Sequence, residues 1–282
     1  MADWTYPTAP AGRPTGVLRP ERVIAAASPM RRPPSADLAP WVEHYWSVRW
    51  SLAPGERFPA KVVSHPCVHV TVETGTVPRF GHRLPAGLVH GVITKAFEVA
   101  LTGTGRVFGV RFRPGGFGAF TRSPVGAWTD RVEPLEAAFG GAAGAFVEAV
   151  LESDSDEERA LTAEALLRER VPDRDARYDQ VLTMVDELRD DPALTSVAAL
   201  AARHALSERT VQRLFRRYVG VGPLWVLRRA RLHNAIDRID AGEHGDLAGL
   251  AAELGWFDQA HFTRDFTDLV GQPPAAYAAR RG

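Results

Sequence analysis

Between residues 209 and 217, Arg209, Thr210, Gln212, Arg213, Arg216 and Arg217 share a side, set apart from Val211, Leu214 and Phe215, which recur at helical spacing. Arg and Gln form paired hydrogen bonds with guanine and adenine edges, so a helix showing this face can read duplex DNA. A second group of reactive side chains lies far upstream. His65, Cys67, His69 and Glu73 fall on alternate positions, opposite Val68, Val70 and Val72, and so share one face of a strand. Two imidazoles, a thiol and a carboxylate are each competent ligands for zinc or iron.

The first group belongs to a repeated unit. Leu200-Ala-Ala-Arg-His-Ala-Leu-Ser207 and Leu250-Ala-Ala-Glu-Leu-Gly-Trp256 stand 50 residues apart, and from Ser207 and Asp258 onward the offset is 51. Each copy predicts a helix-turn-helix, over about 195–218 and 247–269. Ala201 is small enough for a second helix to cross closely above it, Ala205 and Gly255 sit at the tight turn, and Ser207 and Asp258 are placed as N-caps. Pro223 opens a long helix through Trp225, Leu232, Ile236 and Ile239 that joins the copies. From Leu224 to Asp240 it spans roughly 25 Å. A strut of that size can set two recognition helices about one DNA turn, roughly 34 Å, apart.

Residues about 178 to 281 resemble the tandem helix-turn-helix domain of the AraC/XylS family of bacterial transcription regulators. The match is carried by Ala201, Ser207, Leu214-Phe215, Gly220, Pro223, Arg231-Leu232, Ala235, Ala251, Leu254-Gly255, Phe262, Phe266, Gly271 and Pro273-Pro274. Trp256 replaces the more usual Phe of the Gly-Phe pair. The resemblance implies base reading by Arg209, Gln212 and Arg213 and, in the second copy, by Gln259, His261, Thr263 and Arg264. Ser207, Thr210, Arg216, Arg217 and Arg231 would hold phosphates. The expected partner is double-stranded DNA. RNA polymerase, a small-molecule effector and a second copy of the chain (a homodimer) are further candidates that the family implies.

Charge separates the two copies. Arg203 to Arg231 carries eight arginines and one acid, Glu208, whereas Asp237 to Asp268 carries eight acids and two arginines. Phosphate contacts supply most non-specific DNA affinity. The first copy is therefore expected to anchor, and the second to add selectivity or little, unless its acids face away from DNA. The whole chain has a formal net charge of zero, so any attraction to DNA comes from a local patch. One cysteine excludes an intramolecular disulfide and fits a reducing cytoplasm. No apolar run reaches the length of a membrane span, and no secretion signal opens the chain.

The fold class expected is α+β, with an N-terminal antiparallel β domain, bridging helices, and an all-α C-terminal domain. Trp46-Ser-Val-Arg-Trp50, Val68-His-Val-Thr-Val72 and Phe108-Gly-Val-Arg-Phe112 alternate with period two, which predicts a small barrel or sandwich. The boundaries expected are a disordered tail at 1–12, a β-rich sensor or dimerisation domain at 13–125, bridging helices at 126–172, and the DNA-binding domain at 173–282. Arg111 and Arg113 share a face and could meet an anionic effector or Glu73. Trp41, His44, Tyr45, Trp46 and Trp50 are expected to pack the core.

Two enzyme-like alternatives follow from the upstream group. Cys67, His69 and Glu73 resemble the metal motif of cupin barrels, with Cys in place of the first His, but the remaining ligands are not evident and Pro66 limits strand pairing. Some DNA-alkylation repair sensors join an AraC-like reader to a nucleophilic cysteine, yet Pro66-Cys67-Val68-His69 lacks the Cys-His-Arg run such chemistry uses. The expectation is no catalytic residue, no cofactor and no metal.

Overall fold

The computed structural model describes residues 27–173, 175–191 and 193–279; the expected tail at 1–12 lies outside these. Eight strands come first: β1 Ala27–Arg32, β2 Val42–Ser51, β3 Arg57–Val63, β4 His69–Thr74, β5 Ala86–His90, β6 Ala96–Thr102, β7 Thr104–Phe112 and β8 Val132–Pro134. Helices α1 Gly116–Thr121, α2 Glu136–Phe139, α3 Ala142–Glu152 and α4 Asp156–Arg168 surround the end of this region. The C-terminal part is helical throughout: α5 Ala176–Asp190, α6 Val197–Arg203, α7 Glu208–Tyr218, α8 Pro223–Ala241, α9 Leu247–Glu253, α10 Gln259–Val270 and α11 Pro274–Ala279.

Six strands form one antiparallel sheet in the order β1-β2-β7-β4-β5-β8, and β3 pairs with β6 separately. The sheet is open, with β1 and β8 as edges, so of the two β architectures expected the barrel is excluded and a layered arrangement remains. The three alternating segments lie in β2, β4 and β7, which are neighbours. Their pleat gives two faces. Val70, Val72, Phe108, Val110 and Phe112 pack against Phe117, Phe139, Phe146 and Val150 of the helices. On the other face Trp46, Val48, Trp50 and Val107 meet Phe58, Val99 and Leu101 of the two-stranded sheet. Gly105 and Gly109 let the rings of Trp50 and Trp46 lie flat there, since a Cβ at either would come within 2.3 Å of the ring.

The helical segments form where the sequence caps them. Ser155 opens α4 with a capping box, accepting from the Glu158 amide while the Glu158 carboxylate accepts from the Ser155 amide. The acidic run Glu152–Glu158 falls at the break between α3 and α4. Helix α5 covers the segment expected to start the C-terminal domain, and β8 falls within the stretch read as bridging helices.

The N-terminal and C-terminal parts touch at several points. The turn after α1 lies on the end of α7, where Thr129 Oγ1 donates to the Gly220 carbonyl at 2.8 Å. Gly220 has φ +93°, and a Cβ there would press on Val125 and Thr129. Val63 of β3 is fully buried in a core otherwise built from α8 to α11, among Leu232, Ile236, Leu269 and Val270.

Candidate nucleic-acid interface

The two repeats fold to the same local geometry. In the first, Leu206 N–H donates to Ala201 O at 2.9 Å; in the second, Trp256 N–H donates to Ala251 O at 2.9 Å. These bonds close each first helix with the six-to-one bond of a Schellman turn. They require a left-handed residue, and Ala205 has φ 51° where Gly255 has φ 82°. Ser207 Oγ then accepts from Thr210 N–H at 3.2 Å, and Asp258 Oδ1 accepts from His261 N–H at 2.7 Å. Both recognition helices, α7 and α10, are thus capped as the sequence predicts. Val211, Leu214 and Phe215 are buried on α7, and Phe262 and Phe266 on α10.

The opposite side of α7 is open. Arg209, Gln212, Arg213, Arg216 and Arg217 are all exposed. Thr210 differs: its hydroxyl and that of Ser207 are 2.9 Å apart, so both serve the cap. Three arginines of the basic stretch have partners elsewhere in the protein. Arg203 pairs with Asp191 at 2.7 Å. Arg229 is buried, donates to Thr94 O at 2.6 Å and stacks over Trp225, and burial pulls its guanidinium down to about 10. Arg231 donates to Gly255 O at 2.9 Å and to Thr195 O at 3.3 Å. Expected on phosphate, Arg231 instead ties the turn of the second repeat to the entry of the first. Its charge and position in sequence could not reveal these two bonds to carbonyls.

On α10 the expected readers are a mixed set. Gln259 and Arg264 are exposed, while His261 and Thr263 are half-buried. His261 Nε2 lies 3.4 Å from Asp265, which also accepts from Trp256 Nε1 at 3.0 Å. Asp258 and Asp268 line the same open groove as Gln259, Thr263 and Arg264. At least two acids therefore face the groove rather than away from it. Phe257, at the tip of the second turn, is 93% exposed.

The upstream row does not form a metal centre. The four were expected on one strand face, but only His69 and Glu73 lie on β4; His65 and Cys67 precede it in a tight turn, where the Cys67 amide donates to His65 O at 2.8 Å, and each of the four is held by a different neighbour. His65 stacks on His233 of α8 with ring centroids 4.0 Å apart. Cys67 meets Arg111, His69 accepts from Trp46 Nε1 at 3.2 Å, and Glu73 binds His90 at 3.0 Å and Arg79 at 3.3 Å. Among the described residues no group of three such side chains could hold a metal ion. Burial pushes the Cys67 thiol up to about 11, so it is not a thiolate nucleophile near neutral pH. Arg111 finds Glu43 at 3.0 Å rather than Glu73, and Arg113 donates to Ala39 O.

Residues 200–280 match the model of a helix-turn-helix domain family, and residues 30–134 match a domain of unknown function (DUF6597). A Streptomyces lividans protein described as an AraC-like transcription regulator is 34% identical over 98 residues, which is 34% of this chain and 32% of that protein. The chain thus spans about a third of the length of that curated relative. Among solved structures, apo ToxT of Vibrio cholerae covers 88% of this chain and 99% of its own at 10% identity, with a TM-score of 0.41. A second ToxT structure covers 79% and 97% at 9% identity, with a TM-score of 0.38. These scores are too low to carry any inference about this chain. Among the described residues no helix is long and apolar enough to cross a membrane.

Proposed function

Because its C-terminal domain, residues 200–280, is a helix-turn-helix domain of the AraC type, we propose that this protein is a sequence-specific regulator of transcription acting on double-stranded DNA in the cytoplasm. One observation supports it most: a capped recognition helix, α7, with Arg209, Gln212, Arg213, Arg216 and Arg217 exposed on the side opposite its buried stripe. In this reading Arg209, Gln212 and Arg213 meet base edges, while Arg216 and Arg217 hold phosphates. The Ser207 and Thr210 hydroxyls position the helix end, whose free amides can also face a phosphate. On α10, Gln259, Thr263 and Arg264 make a weaker second contact, limited by Asp258 and Asp268 beside them. The division of labour is a tail at 1–12, a sensor or dimerisation domain at 13–125, bridging helices at 126–172, and a reader at 173–282. The first of these domains takes a small-molecule effector or a second copy of the chain, and the bound reader recruits or blocks RNA polymerase. No catalytic step is assigned to it.

The test is DNA binding by the full chain on a target selected from its own genome. Arg213→Ala costs about 1–3 kcal/mol on that target and relaxes preference at one base. Arg217→Ala weakens all duplexes alike and flattens the salt slope by about one unit. A salt slope unchanged by Arg217→Ala removes the phosphate assignment.

A further inference from the structure

The second turn of the repeat holds one residue more than the first, and the change of offset from 50 to 51 places it between Trp256 and Asp258. The added residue is Phe257. Its flanks are fixed. Trp256 is buried, its Nε1 donates to Asp265 at 3.0 Å, and its amide closes the turn on Ala251 O at 2.9 Å. Asp258 caps α10 by accepting from His261 N–H at 2.7 Å. The extra residue leaves the turn bond and the cap as they are in the first repeat. Its effect is to set a phenyl ring at the start of the recognition helix.

That ring stands in water. Phe257 is 93% exposed, whereas the other exposed large apolar side chains among the described residues, Val77, Leu161, Val171 and Leu224, lie between 43% and 48%. A half-exposed valine or leucine is ordinary on a protein surface, but a fully solvated ring between two anchored residues forgoes the burial a phenyl group normally gains. Its surroundings indicate what covers it. Gln259, Ala260, Thr263 and Arg264 follow on the open side of α10 and line one groove with Asp258 and Asp268. Ionic attraction to phosphate is weak here. Of the two arginines between Asp237 and Asp268, Arg238 is paired with Glu253, and Arg264 shares its groove with two acids. A unit with so little positive charge holds DNA through contacts that need none.

We propose that Phe257 reads the 5-methyl group of a thymine in the major groove, making the second helix-turn-helix unit selective for an A·T pair at that position. Residues at the start of a recognition helix meet base edges. The thymine methyl is the apolar group that the major groove displays, and phenyl rings and small apolar side chains are its partners. Ala260, exposed in the same groove, adds no bulk to the approach. Gln259 carries the amide that pairs with an adenine edge. The Phe257 contact adds affinity by removing apolar surface from water, so salt does not weaken it as it weakens the arginine contacts of α7. This assignment rests on the regulator reading above and names what its second unit selects.

The full chain is titrated onto its genomic target duplex and onto copies in which each thymine in turn is replaced by deoxyuridine, which lacks only the 5-methyl group. Phe257→Ala weakens binding to the target about tenfold, with the salt slope and the Tm of the free protein unchanged. One deoxyuridine position weakens the wild type about fourfold and leaves Phe257→Ala unaffected, while every other position acts alike on both proteins. Phe257→Leu keeps part of the affinity. The inference is wrong if Phe257→Ala binds the target as the wild type does, or if no thymine methyl is coupled to the ring. A loss shared equally by unrelated duplexes overturns the base-specific assignment. A wild type that binds no genomic duplex sinks the regulator reading and this inference with it, whereas a wild type that binds, with no effect of Phe257→Ala, sinks this inference alone.

Discussion

The two turns of the repeat provide a matched pair of perturbations, because the same left-handed position holds Ala205 in one copy and Gly255 in the other. A left-handed backbone costs an L-residue roughly 1–2 kcal/mol. Replacing Ala by Gly gives back about 0.4–1 kcal/mol to the unfolded chain as entropy. Ala205→Gly is therefore expected to stabilise by about 0.5–1 kcal/mol, the difference of these two. Gly255→Ala runs the other way and meets an added obstacle. Its Cβ would lie 3.1 and 3.2 Å from two atoms of the Arg231 guanidinium, which is pinned by its bonds to Gly255 O and Thr195 O. Displacing one of those bonds raises the total cost to about 2 kcal/mol. Equilibrium unfolding in urea measures both, provided the slope m is unchanged. A neutral Gly255→Ala, or an Ala205→Gly that destabilises the fold, would falsify the account of the turns.

Two other outcomes test separate parts of the structure. His233 is buried and neutral against His65 and Ser64, and burial, the largest cause, brings it from an ordinary 6.5 to about 3. A base depressed in the folded state contributes stability above its unfolded value, lost as pH falls from 6.5 towards 3. His233→Gln should therefore flatten the decline of Tm with acidification in that window, and an unchanged slope would show that this ring is not responsible. Arg264→Ala should weaken DNA binding less than Arg213→Ala, because Asp258 and Asp268 flank Arg264 in its groove. Equal losses in a binding titration would end the idea of an unequal pair of readers.

The helical half was legible because its information is local. Ser207 and Asp258 cap within three residues, and the turn bonds Leu206–Ala201 and Trp256–Ala251 span only five. The strands in the other half were also visible, since Trp46, Val70 and Phe108 announce their faces by alternation. What alternation cannot state is which strand lies next to which. His90 meets Glu73 only because β5 pairs with β4, and Arg111 meets Glu43 and Cys67 only because β7 lies between β2 and β4. The row of candidate metal ligands was read as a unit for want of those neighbours. Arg231 illustrates the same gap: the sequence shows a cation on the connecting helix, and only three-dimensional placement shows it bonded to Gly255 and Thr195.

Val63 comes from the N-terminal half yet sits with no exposed surface in the core of the second helix-turn-helix unit. A fragment cut at residue 173 to isolate the reader would leave behind the plug for its own interior. Laboratory dissection of this chain, or exchange of its front half for another domain, must therefore supply an aliphatic stopper at that spot. Otherwise the grafted reader carries a hole that water or a neighbouring molecule will fill.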